Sequence, residues 1–150
     1  MREIEKIIIH CSATIEGQNI SAATIKRWHV KDRGWSDIGY HYVIGLDGKI
    51  EAGRPVNRIG AHVKGYNKTS IGICYIGGLS KNKRAKDTRT EAQKNALIKL
   101  IKTLKNIYPS ATLHGHNEFA KKACPCFKVS TEYAEFQPEG YKLDKDDKGE

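Results

Sequence analysis

The sequence predicts an α/β domain: a mixed central sheet flanked by helices. Three observations lead there. Several short apolar runs have strand length and are bounded by turn residues. One long segment, residues 91–107, repeats apolar residues at helical spacing. An Asp47-Gly48 pair separates two strand-like segments, which implies a hairpin and so an antiparallel pair. A purely parallel, doubly wound sheet is therefore not expected. The 150 residues suit a single domain with a real core.

The elements follow in order. Residues 4–10, ending Ile7-Ile8-Ile9-His10, read as a buried strand. Ser21 is an N-cap before Ala22-Ala23-Thr24, opening an amphipathic helix to about Val30 with Ile25, Trp28 and His29 on one face. Residues 34–39 form a loop, and Tyr40–Ile44 a strand that returns through the Asp47-Gly48 turn as Lys49–Ala52. Residues 53–69 are irregular. Ile71–Ile76 is a central strand, and Gly77–Lys86 a basic surface loop. Thr90-Glu91 starts the long helix, which buries Ala92, Ala96, Leu97, Leu100, Ile101 and Leu104 and stops before Pro109. Ala111–Leu113 is a short strand leading to His114 and His116. Residues 1–136 are expected to form the domain, and 137–150 a charged, flexible tail.

Bulk properties narrow the class. No apolar run is long enough to span a bilayer as a helix. The opening Met1-Arg2-Glu3-Ile4-Glu5-Lys6 carries acids, unlike a secretory signal, so synthesis and folding in a cytoplasm are expected. That context argues against disulfides among Cys11, Cys74, Cys124 and Cys126. Cys74 and Cys11 read as small buried side chains, and Cys126 as packing or a spare thiol. The formal net charge is +9, and because residues 137–150 contribute −2, the body carries +11. Such a charge favours polyanions, either nucleic acid or an anionic cell envelope. The lysines are dispersed rather than striped between aromatics, which disfavours nucleic acid.

The chemistry concentrates in His116–Phe127, H-N-E-F-A-K-K-A-C-P-C-F. It joins His116 to Cys124, with Lys121 and Lys122 between them. Far upstream His10 closes a buried strand, where a side chain is rigidly held. Imidazole and thiolate are ligands zinc prefers, and three protein ligands leave a fourth position for water, the catalytic arrangement. His114 is a competing ligand. If the strand continues, it points to the face opposite its neighbours. Glu118 lacks H-E-x-x-H spacing and reads as a supporting group.

Four segments, I-I-I-H-C-S-A-T, G-W-S-D-I-G-Y-H-Y-V-I, H-V-K-G-Y-N-K-T-S-I-G-I and the final H-x7-C-P, together resemble the phage-type zinc N-acetylmuramoyl-L-alanine amidases. These share a fold with peptidoglycan-recognition proteins. The resemblance covers roughly residues 4–130 in order. It implies hydrolysis of the amide between N-acetylmuramic acid and L-alanine in peptidoglycan, with one zinc ion held by His10, His116 and Cys124. It favours His116 over His114 through the spacing to the cysteine. Tyr40 matches a family tyrosine near the metal that handles a proton. Lys122 matches a lysine that stabilises the oxyanion. His62 and Asn67 match residues of the substrate groove. A monomer that reaches the wall through a holin-type or other release route is the corresponding expectation.

Three other classes remain at this point. A non-catalytic peptidoglycan-binding module would lack the cysteine ligand, and Cys124 is present. A regulator of phage RNA polymerase is disfavoured by the short N-terminal arm. A structural zinc site would be closed by a fourth ligand, Cys126 or Cys11.

Overall fold

A computed structural model describes residues 2–141. Most of the expected tail, 142–150, lies outside the described residues. The elements are β1 (Lys6–Cys11), β2 (Thr14–Ile15), α1 (Ala22–Arg27), β3 (Tyr42–Ile44), β4 (Ile50–Ala52), β5 (Ser70–Tyr75), β6 (Gly78–Leu79), α2 (Glu91–Ile107), β7 (Thr112–Gly115) and α3 (Val129–Glu132). The main sheet has the order β4-β3-β5-β1-β7. Strand β1 runs parallel to β5 and β7, β3 runs parallel to β5, and only the β3–β4 hairpin is antiparallel. The sheet is mixed, as expected.

The period of two along β1 and β5 sorts their side chains between two layers. Ile7, Ile9, Ile71, Ile73 and Tyr75 share one core with Leu97, Leu100, Ile101 and Leu104 of α2. Val43 and Cys74 face the other way, into a smaller cluster with Ala22, Ile25, Ile38 and Ile76. Neighbouring Ile9, His10 turns from the α2 side and emerges on this second face, 1% exposed. The strand that supplies the core therefore also presents a polar group at its carboxyl end.

The helices obey their capping signals. Ser21 Oγ accepts from the Thr24 N–H. Thr90 and Gln93 form a reciprocal capping box on α2. Gln93 reaches further: buried, its Nε2 donates to the carbonyls of Ile44 and Ile76, sewing α2 to the sheet. It takes the inward place expected for Ala92, which is only half-buried. Gly48 makes the hairpin turn at φ 86°, in the left-handed region.

Three expectations need correction. First, α1 ends at Arg27 and passes into a π turn over Trp28–Asp32. The wider turn breaks the 3.6 period, so Trp28 is 37% exposed while Ile25 is buried. Second, β3 begins at Tyr42, and Tyr40 precedes it in an irregular approach. Third, residues 77–86 are not simply a loop: β6 lies there, paired with β2, and Leu79 bridges to Ala85. Next to the expected boundary at residue 137, one side chain docks on the sheet. The Gln137 side-chain amide accepts from the Leu113 N–H and donates to the Leu113 carbonyl, both at 2.8 Å. A side-chain amide there imitates a neighbouring strand and closes the open edge of β7.

Candidate metal centre

The second face of the sheet gathers His10, His116 and Cys124. One potential ligand atom from each lies within 4.8 Å of the others, and among the described residues no other such group forms. Cys11 and Cys126 are outside it, so nothing in the described residues closes the site with a fourth thiol. All four cysteines are free.

Each of the three side chains is held from behind. His10 sits at the end of central β1, and its Nε2 is 2.8 Å from His62 Nδ1. His116 begins a 3-10 turn directly after β7. Glu118 fixes that turn: Oε2 accepts from the Gly115 N–H and Oε1 pairs with His114 Nδ1 at 2.7 Å. His114 Nε2 is in turn 2.6 Å from Thr112 Oγ1. His114 is thus occupied away from the cluster, and Glu118 supports it. Cys124 lies in a loop strapped by the buried Tyr75 Oη donating to the Pro125 carbonyl at 2.7 Å. Asn117 Nδ2 donates to the Ala123 and Phe127 carbonyls beside it. Beyond the loop, buried Arg89 pairs with Asp87 and Glu132 and stacks 3.5 Å over the Phe127 ring.

The donor set suits a soft or borderline divalent cation. The Cys11 backbone N–H donates to Cys124 Sγ at 3.1 Å. Burial holds His10 well below the ordinary imidazole range, with His62, His116 and Lys122 adding to the effect. Burial and Lys122 lower His116 as well. Both rings are therefore neutral and able to offer a lone pair near pH 7. These are the protonation states a zinc ion requires.

Tyr40 reaches the same place: its ring centroid is 5.1 Å from that of His10. Burial, and next to it Cys74 and Cys124, push its phenol well above the ordinary value, so it keeps its proton and can donate. His29 packs against Tyr40 and Trp35, and its Nδ1 accepts from the Gly39 N–H, fixing the approach to Tyr40. Lys122 is exposed and lines two adjoining cavities of about 400 and 410 Å³, together with His116 and Arg33. Lys121 lines neither.

His62 and Asn67 do border the first cavity. Their polar atoms, however, are turned inward. His62 Nε2 is 3.2 Å from Ser70 Oγ, and its other nitrogen faces His10. Asn67 Oδ1 accepts from the N–H groups of both His62 and Val63, pinning the irregular segment. Two arginines also serve this segment rather than the solvent. Arg2 donates to the carbonyls of Val56, Lys68 and Ser70, and Arg54 to those of Ile38, Asp37 and Ile59. The sequence reading missed His29, His41, Arg2 and Arg54. No motif marks a residue whose partners are backbone carbonyls distant in sequence.

Residues 1–127 match the N-acetylmuramoyl-L-alanine amidase family. The endolysin of Escherichia phage T7 is 45% identical over 125 residues, which is 83% of this chain and 82% of that protein. The N-acetylmuramoyl-L-alanine amidase LysC from Clostridium intestinale superposes with a TM-score of 0.74 at 31% identity, covering 88% of this chain and 83% of that one. Drosophila PGRP-LB superposes with a TM-score of 0.76 at 27% identity, covering 95% and 88%.

Proposed function

Because the chain belongs to the N-acetylmuramoyl-L-alanine amidase family and is a hydrolase of peptidoglycan, we propose that His10, His116 and Cys124 hold one zinc ion beside which Tyr40 and Lys122 act. The observation that carries this reading is the approach of two neutral imidazoles and one thiol within 4.8 Å, with a backbone N–H on the sulfur. Bound there, zinc supplies a Lewis acid that polarises the scissile carbonyl and makes water nucleophilic near pH 7.

The chain's own groups do the rest. Lys122, on the rim shared by both cavities, meets the oxygen that gains negative charge as the amide carbon becomes tetrahedral. Tyr40, protonated and partly buried, orients the attacking water and passes a proton toward the departing L-alanine nitrogen. The cavities on either side of His116 give the glycan and the stem peptide separate places to lie. Residues Trp35, Val63 and Phe119 give one of them an apolar wall. His62 and Asn67 shape the groove floor.

On this reading the enzyme works as a monomer and reaches the cell wall after release from the cytoplasm. Among the described residues no helix is long and apolar enough to cross a membrane. Digestion of purified peptidoglycan tests the reaction. Free L-alanine amino termini should appear without new reducing sugars. New reducing ends would mean cleavage of the glycan instead, chemistry that calls for paired carboxylates.

A further inference from the structure

We infer that His62 is a positioning residue that fixes the tautomer and ring angle of His10 through a three-member chain, His10–His62–Ser70; the inference rests on the reading of His10 as a zinc ligand. With Nε2 of His10 facing His62 Nδ1 at 2.8 Å, Nδ1 of His10 is the nitrogen left to meet His116 and Cys124. A nitrogen that gives its lone pair to a cation carries no proton. The proton of His10 therefore sits on Nε2 and is donated to His62 Nδ1. That acceptor role leaves the proton of His62 on Nε2, which donates to Ser70 Oγ at 3.2 Å. The chain that begins at the ligand thus ends on a hydroxyl of the neighbouring strand β5, two residues removed in hydrogen-bond order.

The backbone around His62 is built for this placement. Its ring stands edge-on to His10, at 83° and 4.9 Å between centroids. It lies flat against Gly72, where an added Cβ would come within 2.7 Å of the His62 ring. Only glycine lets the ring approach β5 closely enough to reach both neighbours. Asn67 Oδ1 holds the His62 N–H from the other side. His41 stands edge-on behind it, 5.9 Å away, and is itself held, Nδ1 by the Gly72 N–H and Nε2 by the Arg58 carbonyl. Both nitrogens of His62 are consumed, so it offers substrate no hydrogen bond in this arrangement. Partners behind metal ligands typically govern 10–100-fold in metal affinity.

The test is zinc affinity by chelator competition, with side-chain nitrogen NMR on the native protein. Long-range proton–nitrogen spectra should show His10 and His62 both protonated on Nε2. Protonation of His62 on Nδ1 overturns the chain without any mutation. His62→Phe keeps an aromatic ring on Gly72 but removes the acceptor, and should weaken zinc binding about 10–100-fold. His62→Gln, whose amide oxygen can accept from His10, should recover most of that loss. Unchanged affinity in His62→Phe, or equal losses in both variants, overturns the inference. Failure of the zinc reading itself has a different signature: the unmutated chain would bind no stoichiometric zinc.

Discussion

The backbone N–H of Cys11 donates to the sulfur of Cys124 at 3.1 Å, across 113 positions of sequence. Strand β1 therefore serves the cluster twice at its carboxyl end. His10 contributes a ring, and the next peptide group steadies a thiol supplied by the far end of the domain. The Cys124 sulfur is met by a fixed dipole before any cation arrives, which lowers the reorganisation that binding requires.

Zinc content follows from that arrangement. The purified chain should carry about one zinc ion, the stoichiometry of a single mononuclear site. Cys124→Ala should lose it while Cys126→Ala, outside the cluster, should keep it. Elemental analysis of the three proteins decides. Stoichiometric zinc in Cys124→Ala would sink the ligand assignment. Acid should also release the metal, because thiolate and imidazoles must be deprotonated to bind it.

The two adjacent lysines should behave differently. Lys122→Ala should retain zinc and wall binding but turn over roughly 10²–10³-fold more slowly, the scale of one oxyanion donor. Lys121→Ala, which lines neither cavity, should stay near the unmutated rate. Steady-state digestion rates at low and high salt separate the roles. Equal small losses that fade with salt would reduce both lysines to attraction for an anionic wall.

Tyr40→Phe removes a hydroxyl and keeps the ring against His10 and His29. Fold and zinc content should persist while turnover falls by about 10²-fold or more, in the range of a general acid–base group. Undiminished turnover would leave Tyr40 as packing alone.

Removing the Tyr75 hydroxyl should be felt at the metal. Tyr75→Phe leaves the buried Pro125 carbonyl without the donor that straps the Cys124 loop. The cost should be about 1–3 kcal/mol in urea unfolding, accompanied by weaker zinc binding. A stability loss with unaltered zinc affinity would show that the strap and the ligand are independent.

Acid should weaken the metal-free fold through histidines away from the His10–His116–Cys124 cluster. Burial pushes His41 down to about 4, opposed in part by the Arg58 carbonyl. Burial, followed by Arg33 and Arg54, pushes His29 down to about 4 as well. Both rings are held neutral in the fold, so the unfolded chain binds more protons between their folded values and the ordinary value near 6.5. Stability should therefore be full above about pH 6.5 and fall as the pH drops toward about 4. Urea midpoints of the chelator-treated protein measure the slope. His41→Gln should flatten it in that window, and an unchanged slope would remove His41 as a contributor.

Much of this molecule is legible in its sequence because its strongest signals are local. The apolar runs of β1 and β5, the Thr90–Gln93 capping box and the Asp47-Gly48 turn each act within a few residues. The spacing from His116 to Cys124 is likewise local, and the resemblance to the amidases supplied His10 as its distant partner. What stayed hidden depends on contacts between segments far apart in sequence. The π turn at Trp28 obeys no simple period. Gln137 closes β7 by imitating a strand, although its neighbours read as tail. His62 shows the limit most plainly: its motif led to the groove, while its two nitrogens turned out to be committed to His10 and Ser70.

The place of β1 between β5 and β7 also sets when the enzyme can become active during synthesis. His10 leaves the ribosome early, in a strand whose two parallel neighbours have not yet been made. Parallel pairing cannot close locally, so β1 must wait for β5, and its other edge waits for residues 112–115. Only afterwards does the ribosome deliver Cys124. A nascent chain that stops short of Cys124 thus lacks the complete His10–His116–Cys124 cluster, and a fragment ending before β7 would expose a long apolar strand edge open to pairing with other chains.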